Sequence, residues 1–217
     1  MQKKHSILLL IASFALAQTP ADLLYREDQI YASVGYPLLI DVPEALTQNK
    51  LSHTFSLGFV RDMPINRARN LAFGLGFGLN YNVVHTNLQF TENMEAYTYL
   101  SSNVTNQWNN LDLEIPLEFR WRSSVPLNYQ FWRAYAGLVG YYTLSANQRT
   151  RTALIDSITS LSVQKFRLAL RLNVGNNTWN LTYTHPIDSF FDYDKSPHNK
   201  LFRQLKIAKL GLVFYIF

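Results

Sequence analysis

From Leu111 to Arg122 the chain alternates strictly, with Leu111, Leu113, Ile115, Leu117, Phe119 and Trp121 on one side and Asp112, Glu114, Pro116, Glu118, Arg120 and Arg122 on the other. A β-strand sends successive side chains to opposite faces, so the segment predicts a strand with one apolar face and one mostly charged face. A second segment repeats the pattern. Over Asn70 to Val83 the odd positions read Leu71, Phe73, Leu75, Phe77, Leu79, Tyr81 and Val83, and the even ones Asn70, Ala72, Gly74, Gly76, Gly78, Asn80 and Asn82. Apolar-out with polar-or-small-in is the pattern of a transmembrane barrel.

Strand-like segments run from Gln29 to Ile40, Ser52 to Arg61, Asn70 to Val83, Asn110 to Arg122, Phe131 to Leu144, Ser162 to Val174, Thr178 to His185 and Leu205 to Phe217. Most reach the roughly 9–11 residues that a tilted membrane strand needs. Short connections rich in turn formers, Asp62 to Asn66, Ser123 to Asn128 and Gly175 to Asn177, alternate with longer polar ones near 41–51, 84–109, 145–161 and 186–204. The expected fold is therefore all-β: one eight-stranded antiparallel transmembrane β-barrel with short periplasmic turns and longer extracellular loops. Gly211, Val213, Tyr215 and Phe217 carry apolar and aromatic residues to the last position, an ending typical of outer-membrane barrels. On that parity Lys209 falls on the lipid side and should lie near an interface, because a lysine at the bilayer midplane costs roughly 2–4 kcal/mol.

Eight strands enclose room for side chains only. Parity assigns Asp112, Glu114, Glu118, Arg120, Arg122, Arg133, Lys165, Arg167 and Arg171 to a lumen charge network, and Gly74, Gly76 and Gly78 to a glycine strip that leaves space beside it. Unpaired charges there would cost several kcal/mol each, so Glu114 and Glu118 are expected to bridge arginines of the two following strands. Pro116 removes a ladder donor and predicts a bulge or break.

Residues 1–17 read as a secretory signal peptide, with Lys3, Lys4 and His5 before an apolar run and Ala15-Leu16-Ala17 as the cleavage site, leaving 18–217 as the barrel domain. Removing Lys3 and Lys4 lowers the net charge from +5 to about +3, too mild to argue for nucleic acid. The absence of cysteine excludes disulfides, thiolate sites and a lipidated cysteine. An export signal with no long apolar helix leaves strands as the means of membrane attachment, and the outer membrane as the destination.

Candidate chemistry is sparse. His185 and Ser189, with Asp188, Asp192 and Asp194 nearby, form the one His/Ser grouping that suggests a lipid-acyl hydrolase; the plainer reading is a hydrophilic loop. His53, His85 and His198 are scattered, and no His/Asp/Glu set has metal-ligand spacing, so neither a metal nor a cofactor is expected. Trp108, Trp121, Trp132 and Trp179 sit near strand ends, as an interfacial belt would place them.

Three segments together carry a family resemblance: Leu57 to Asn66 with the glycine strand behind it, Glu114 to Arg122 through Phe131-Trp132-Arg133, and Asn177 to Asn180. They resemble the PorT family, small outer-membrane barrels of bacteria with type IX secretion, over about Tyr25 to Phe217. The resemblance implies a non-enzymatic accessory role in type IX export, with outer-membrane lipid and other secretion-system proteins as partners. Arg61, Asp62, Arg67 and Arg69 in the first short turn are then candidate periplasmic contacts, as are Arg122 and Arg133 flanking the second. A small outer-membrane porin and a lipid-modifying barrel enzyme are the alternatives.

Overall fold

The computed structural model describes residues 28–42, 44, 46–48, 50–90, 96–98, 105–123, 132–151, 156–176, 179–192 and 204–216. The signal-peptide segment lies outside them. Among the described residues the strands are β1 (Asp28–Ile40), β2 (His53–Pro64), β3 (Leu71–Thr86), β4 (Leu88–Phe90), β5 (Ala96–Thr98), β6 (Thr105–Arg122), β7 (Trp132–Arg151), β8 (Asp156–Ser160), β9 (Phe166–Asn176), β10 (Trp179–Pro186) and β11 (Lys206–Ile216). Eight of them pair antiparallel in the order β1-β2-β3-β6-β7-β9-β10-β11, and β11 returns to β1 from Ile30↔Ile216 to Ile40↔Lys206. The expected eight-stranded barrel is closed, so no edge within the membrane lacks a partner. β8 extends β7 beyond the barrel, while β4 and β5 pair with each other.

Alternation decides which face each residue takes. Phe73, Leu75, Phe77, Leu79 and Tyr81 on β3, and Ile115, Leu117, Phe119 and Trp121 on β6, form an exposed apolar band, while Gly74, Gly76, Gly78, Glu114 and Glu118 face in. Trp121, Trp132 and Trp179 lie exposed where short turns join the strands, as an aromatic girdle should. Trp108 breaks that expectation: its even position on β6 turns it inward, and it is fully buried.

The last strand runs on the opposite parity from the one expected. Val213 and Tyr215 face the lumen, and Leu210, Leu212 and Ile216 meet the lipid. Both parities of this strand are apolar, so hydrophobicity alone does not choose between them; Lys209 does, because its ammonium finds Asn80 Oδ1 at 2.6 Å inside the barrel. Lys209 is a lumen residue, not an interfacial one.

Two irregularities matter. Opposite Pro116 the β3–β6 ladder skips Gly76 and Phe77 with no shift of register, the expected cost of a missing N–H. On the other side of β6, pairing shifts from Asp112↔Thr143 to Leu111↔Ser145, which leaves Leu144 as an extra residue in β7. Such a bulge exchanges the faces of everything beyond it. Below it Arg133, Tyr135 and Tyr141 point in; above it Gln148 and Thr150 do, and Arg149 and Arg151 point out.

The glycine strip is occupied space. A Cβ at Gly74 would lie 2.6 Å from Arg120 Cδ, one at Gly76 would lie 2.7 Å from Val60 Cγ2, and one at Gly78 would strike the Tyr31 hydroxyl. Gly76→Leu should therefore lower the yield of folded barrel and cost roughly 1–3 kcal/mol. Urea unfolding and the fraction of protein keeping the fast, heat-sensitive gel mobility of a folded barrel test this; no change in either would refute the packing.

Candidate functional site

The inward face of β6 reads, from the turn end toward the loop end, Arg122, Arg120, Glu118, Glu114, Asp112 and Trp108, and each meets partners from across the lumen. At the turn end Asp62 accepts from both Arg120 and Arg122, the latter at 3.1 Å. Gln29 Oε1 takes the second Arg120 nitrogen at 2.8 Å, and Arg122 Nε donates to the Arg69 carbonyl at 3.1 Å. The Arg120 guanidinium lies 3.9 Å from the Tyr135 ring centroid and 5.1 Å from that of Tyr215. Its Nε faces Glu118 Oε2 at 3.5 Å, while Asn173 donates to Glu118 Oε1 at 3.2 Å.

Midway, Glu114 accepts from the Tyr31 hydroxyl and from Arg171 at 2.8 Å. Toward the loops, Asp112 gathers Arg167 at 2.7 Å, Thr143 at 2.9 Å and Asn110 at 2.7 Å. Lys209, besides reaching Asn80, lies 4.2 Å from the Tyr141 ring centroid. Small cavities persist in this packing, among them two of about 20 Å³ each, space for about one water molecule.

The network corrects several expectations. Glu114 bridges to Arg171 of β9 as anticipated, but Glu118 turns to Arg120 of its own strand. Lys165 is exposed and outside the network, because β9 begins only at Phe166 and the bend before it breaks the alternation. Asp62 belongs to the lumen, not to a periplasmic contact set: β2 continues through Pro64, which places Asp62 in the strand facing Arg120. Arg122 and Arg133 are likewise buried, and Arg69 is half-buried with a positive φ, whereas Arg61 and Arg67 are exposed at the rim.

At the loop end the lumen is closed by an apolar plug that sequence reasoning did not find. Leu46 from the first long connection, Leu88 from the second, Leu161 and Val163 from the third, and Phe190, Phe191 and Leu205 from the fourth bury themselves around Trp108 and Val84. Trp108 stacks on Phe190 at a centroid distance of 6.4 Å and meets Phe191 edge-on at 5.4 Å. Arg167 lies 5.0 Å from the Phe190 ring centroid, joining plug to network. Backbone hydrogen bonds link the loops in pairs, Asn87 N to Thr47 O at 3.2 Å and Gln164 N to Phe190 O at 3.0 Å. The available signal was weak: scattered Leu residues and one Phe190-Phe191 pair in polar loops, and one tryptophan on the charged parity.

The His/Ser grouping is not assembled. His185 is exposed and its Nδ1 contacts the Tyr183 hydroxyl at 3.1 Å. Ser189 Oγ instead accepts from Gln164 at 3.2 Å, and Asp188 accepts from the Leu168 N–H at 2.6 Å. Asp194 lies outside the described residues. Among the described residues no cluster of three or more His, Asp or Glu side chains could hold a metal.

A closed eight-stranded barrel with an exposed apolar band and a charged lumen accords with the family model that this chain matches. The sequence profile described as an outer membrane protein beta-barrel domain matches residues 16–194. The chain belongs to that family. Membership places it in the bacterial outer membrane. Among solved structures it is similar to Ail, the attachment invasion locus protein of Yersinia pestis, at 11% identity and a TM-score of 0.37, covering 87% of this chain and 98% of that one. A mutant of the Rh. blastica porin gives 10% identity and a TM-score of 0.16, covering 88% and 100%. A search of curated proteins gives no match.

Two substitutions test the assignment of layers. Asp62→Asn should cost roughly 3–5 kcal/mol, because it leaves Arg120 and Arg122 without their shared carboxylate in a buried site. Trp108→Ala should expose the long loops to protease while leaving the barrel folded, since the lost contacts lie in the plug. Guanidinium unfolding in lipid vesicles measures the first, and limited proteolysis read by mass spectrometry the second.

Proposed function

We propose that this outer-membrane barrel is a non-enzymatic accessory component of type IX protein export, acting through its rims and loops and not through its lumen. The observation that carries this reading is the filled interior: from Asp62 at one end to Phe190 at the other, inward side chains are engaged with one another. A barrel packed in this way offers no route to a solute, so a role in transport falls to its surfaces. The resemblance to the PorT family supplies the transport system. The absence of an assembled His/Ser/Asp geometry among the described residues favours this reading over a lipid-modifying enzyme.

Contacts with other export components are assigned to the periplasmic rim, where Arg61 and Arg67 are exposed. Arg61 lies 3.8 Å from Asp28, a solvent-exposed pair worth little to stability, so both arginines are available to a partner.

Deletion in the native host should remove proteins bearing the type IX export tag from the medium, with restoration by the gene in trans; normal export would overturn the reading. Arg61→Glu with Arg67→Glu should preserve folding and reduce export. Planar-bilayer recording should show no steady conductance, and a stable open channel would favour the porin alternative.

A further inference from the structure

The outer wall above the apolar band carries a second site, remote from the lumen. In the pairing of β3, β6 and β7, Tyr81 stands beside Leu111, the next outward rung is Val83, Asn109 and Asn147, and the one above that is His85, Gln107 and Arg149. Lys50 from the first long connection and Arg151 complete a cleft of about 280 Å³ around this upper rung. Among the described residues its lining is basic and polar.

The cations are held in place. Asp156 on β8 takes Arg149 in a two-pronged pair, Nε at 2.9 Å and Nη2 at 2.7 Å, and lies 3.4 Å from Arg151 Nη2. The hydrogen bond from Arg149 holds the Asp156 carboxyl down at about 2, so it stays charged and keeps the fork oriented. Among the described residues the cleft sets Lys50, Arg149 and Arg151 against Asp156, and burial lowers the His85 pKa so that its ring is neutral at pH 7. His85 Nδ1 is buried and has no hydrogen-bond partner.

Height identifies the ligand class. Tyr81, the last exposed aromatic of β3, is four residues below His85, about 13 Å along the strand and about 10 Å along the axis of a barrel whose strands tilt by 35–45°. The polar layer of an ordinary phospholipid leaflet is only about 5–8 Å deep. A cationic cleft at this level, facing outward beside lipid, lies above simple headgroup phosphates and beside the sugars of a larger headgroup. We propose that Lys50, Arg149 and Arg151 bind the phosphorylated sugar headgroup of an outer-leaflet glycolipid, with Asp156 positioning the two arginines. Arginine forks suit phosphate oxygens.

The test uses the full folded chain in neutral detergent, with rough lipopolysaccharide retaining its phosphorylated core as the probe. Binding is read by native mass spectrometry and by thermal stabilisation. The triple variant K50Q/R149Q/R151Q should lose at least about tenfold in affinity, and the wild-type complex should weaken steeply with salt. The same lipopolysaccharide after chemical dephosphorylation should bind like the triple variant. D156N, which frees the two guanidinium groups from the carboxylate that positions them while sparing the cations, should weaken binding by less than the triple variant does. Retained binding by a triple variant that still shows folded-barrel gel mobility would overturn the proposal. So would equal binding of the dephosphorylated lipid, or saturation by inorganic phosphate at concentrations comparable with the lipopolysaccharide.

Discussion

Everything in this molecule follows from the narrowness of an eight-stranded barrel. Its lumen is too small for bulk water, so each charge turned inward must be met by a group from another strand. The carboxylates Asp62, Asp112, Glu114 and Glu118 are spaced along the axis and each engages at least one arginine. The tyrosines spread over the cations between them, and three glycines on β3 yield the volume that arginine stems and the Tyr31 ring occupy. Breaking one partner of such a set leaves a desolvated charge, which makes the interior a specification of strand register as well as a filling.

The wall was legible because alternation is a local property. All eight barrel strands lie where the pattern puts them, and the charged parity of β6 is the lumen face. What alternation does not resolve is a strand apolar on both sides, and β11 is such a strand: only the partner of Lys209, 129 positions earlier at Asn80, settles its orientation. Strand ends were misjudged for a related reason. Asp62 and Pro64 look like turn residues, yet the barrel carries β2 past them because Asp62 has two arginines to meet. Lys165 shows the converse, a residue on the right parity in a segment that is not yet strand.

The outer end was the least legible part. The plug draws between one and three apolar residues from each of four connections that are far apart in sequence, so no single window of the chain displays it. Its consequence for function is that the loops are fastened down by a shared core, presenting a fixed surface to the exterior. A filled lumen and tethered loops together make the rims, turn-side and loop-side, the places where this barrel meets other molecules.

The bulge at Leu144 gives that surface its character through counting alone. One additional residue in β7 reverses the sense of every position after it, so the stretch Gln148 to Arg151 delivers its amide and threonine to the interior and its arginines to the exterior. In unbroken alternation the same four residues would drive two guanidinium groups into an apolar plug and strand two neutral side chains facing the leaflet. The chemistry of the outer wall is thus stored less in which residues β7 contains than in the parity of their number, and a frame of one residue separates a sealed barrel with a cationic rim from one that could not close.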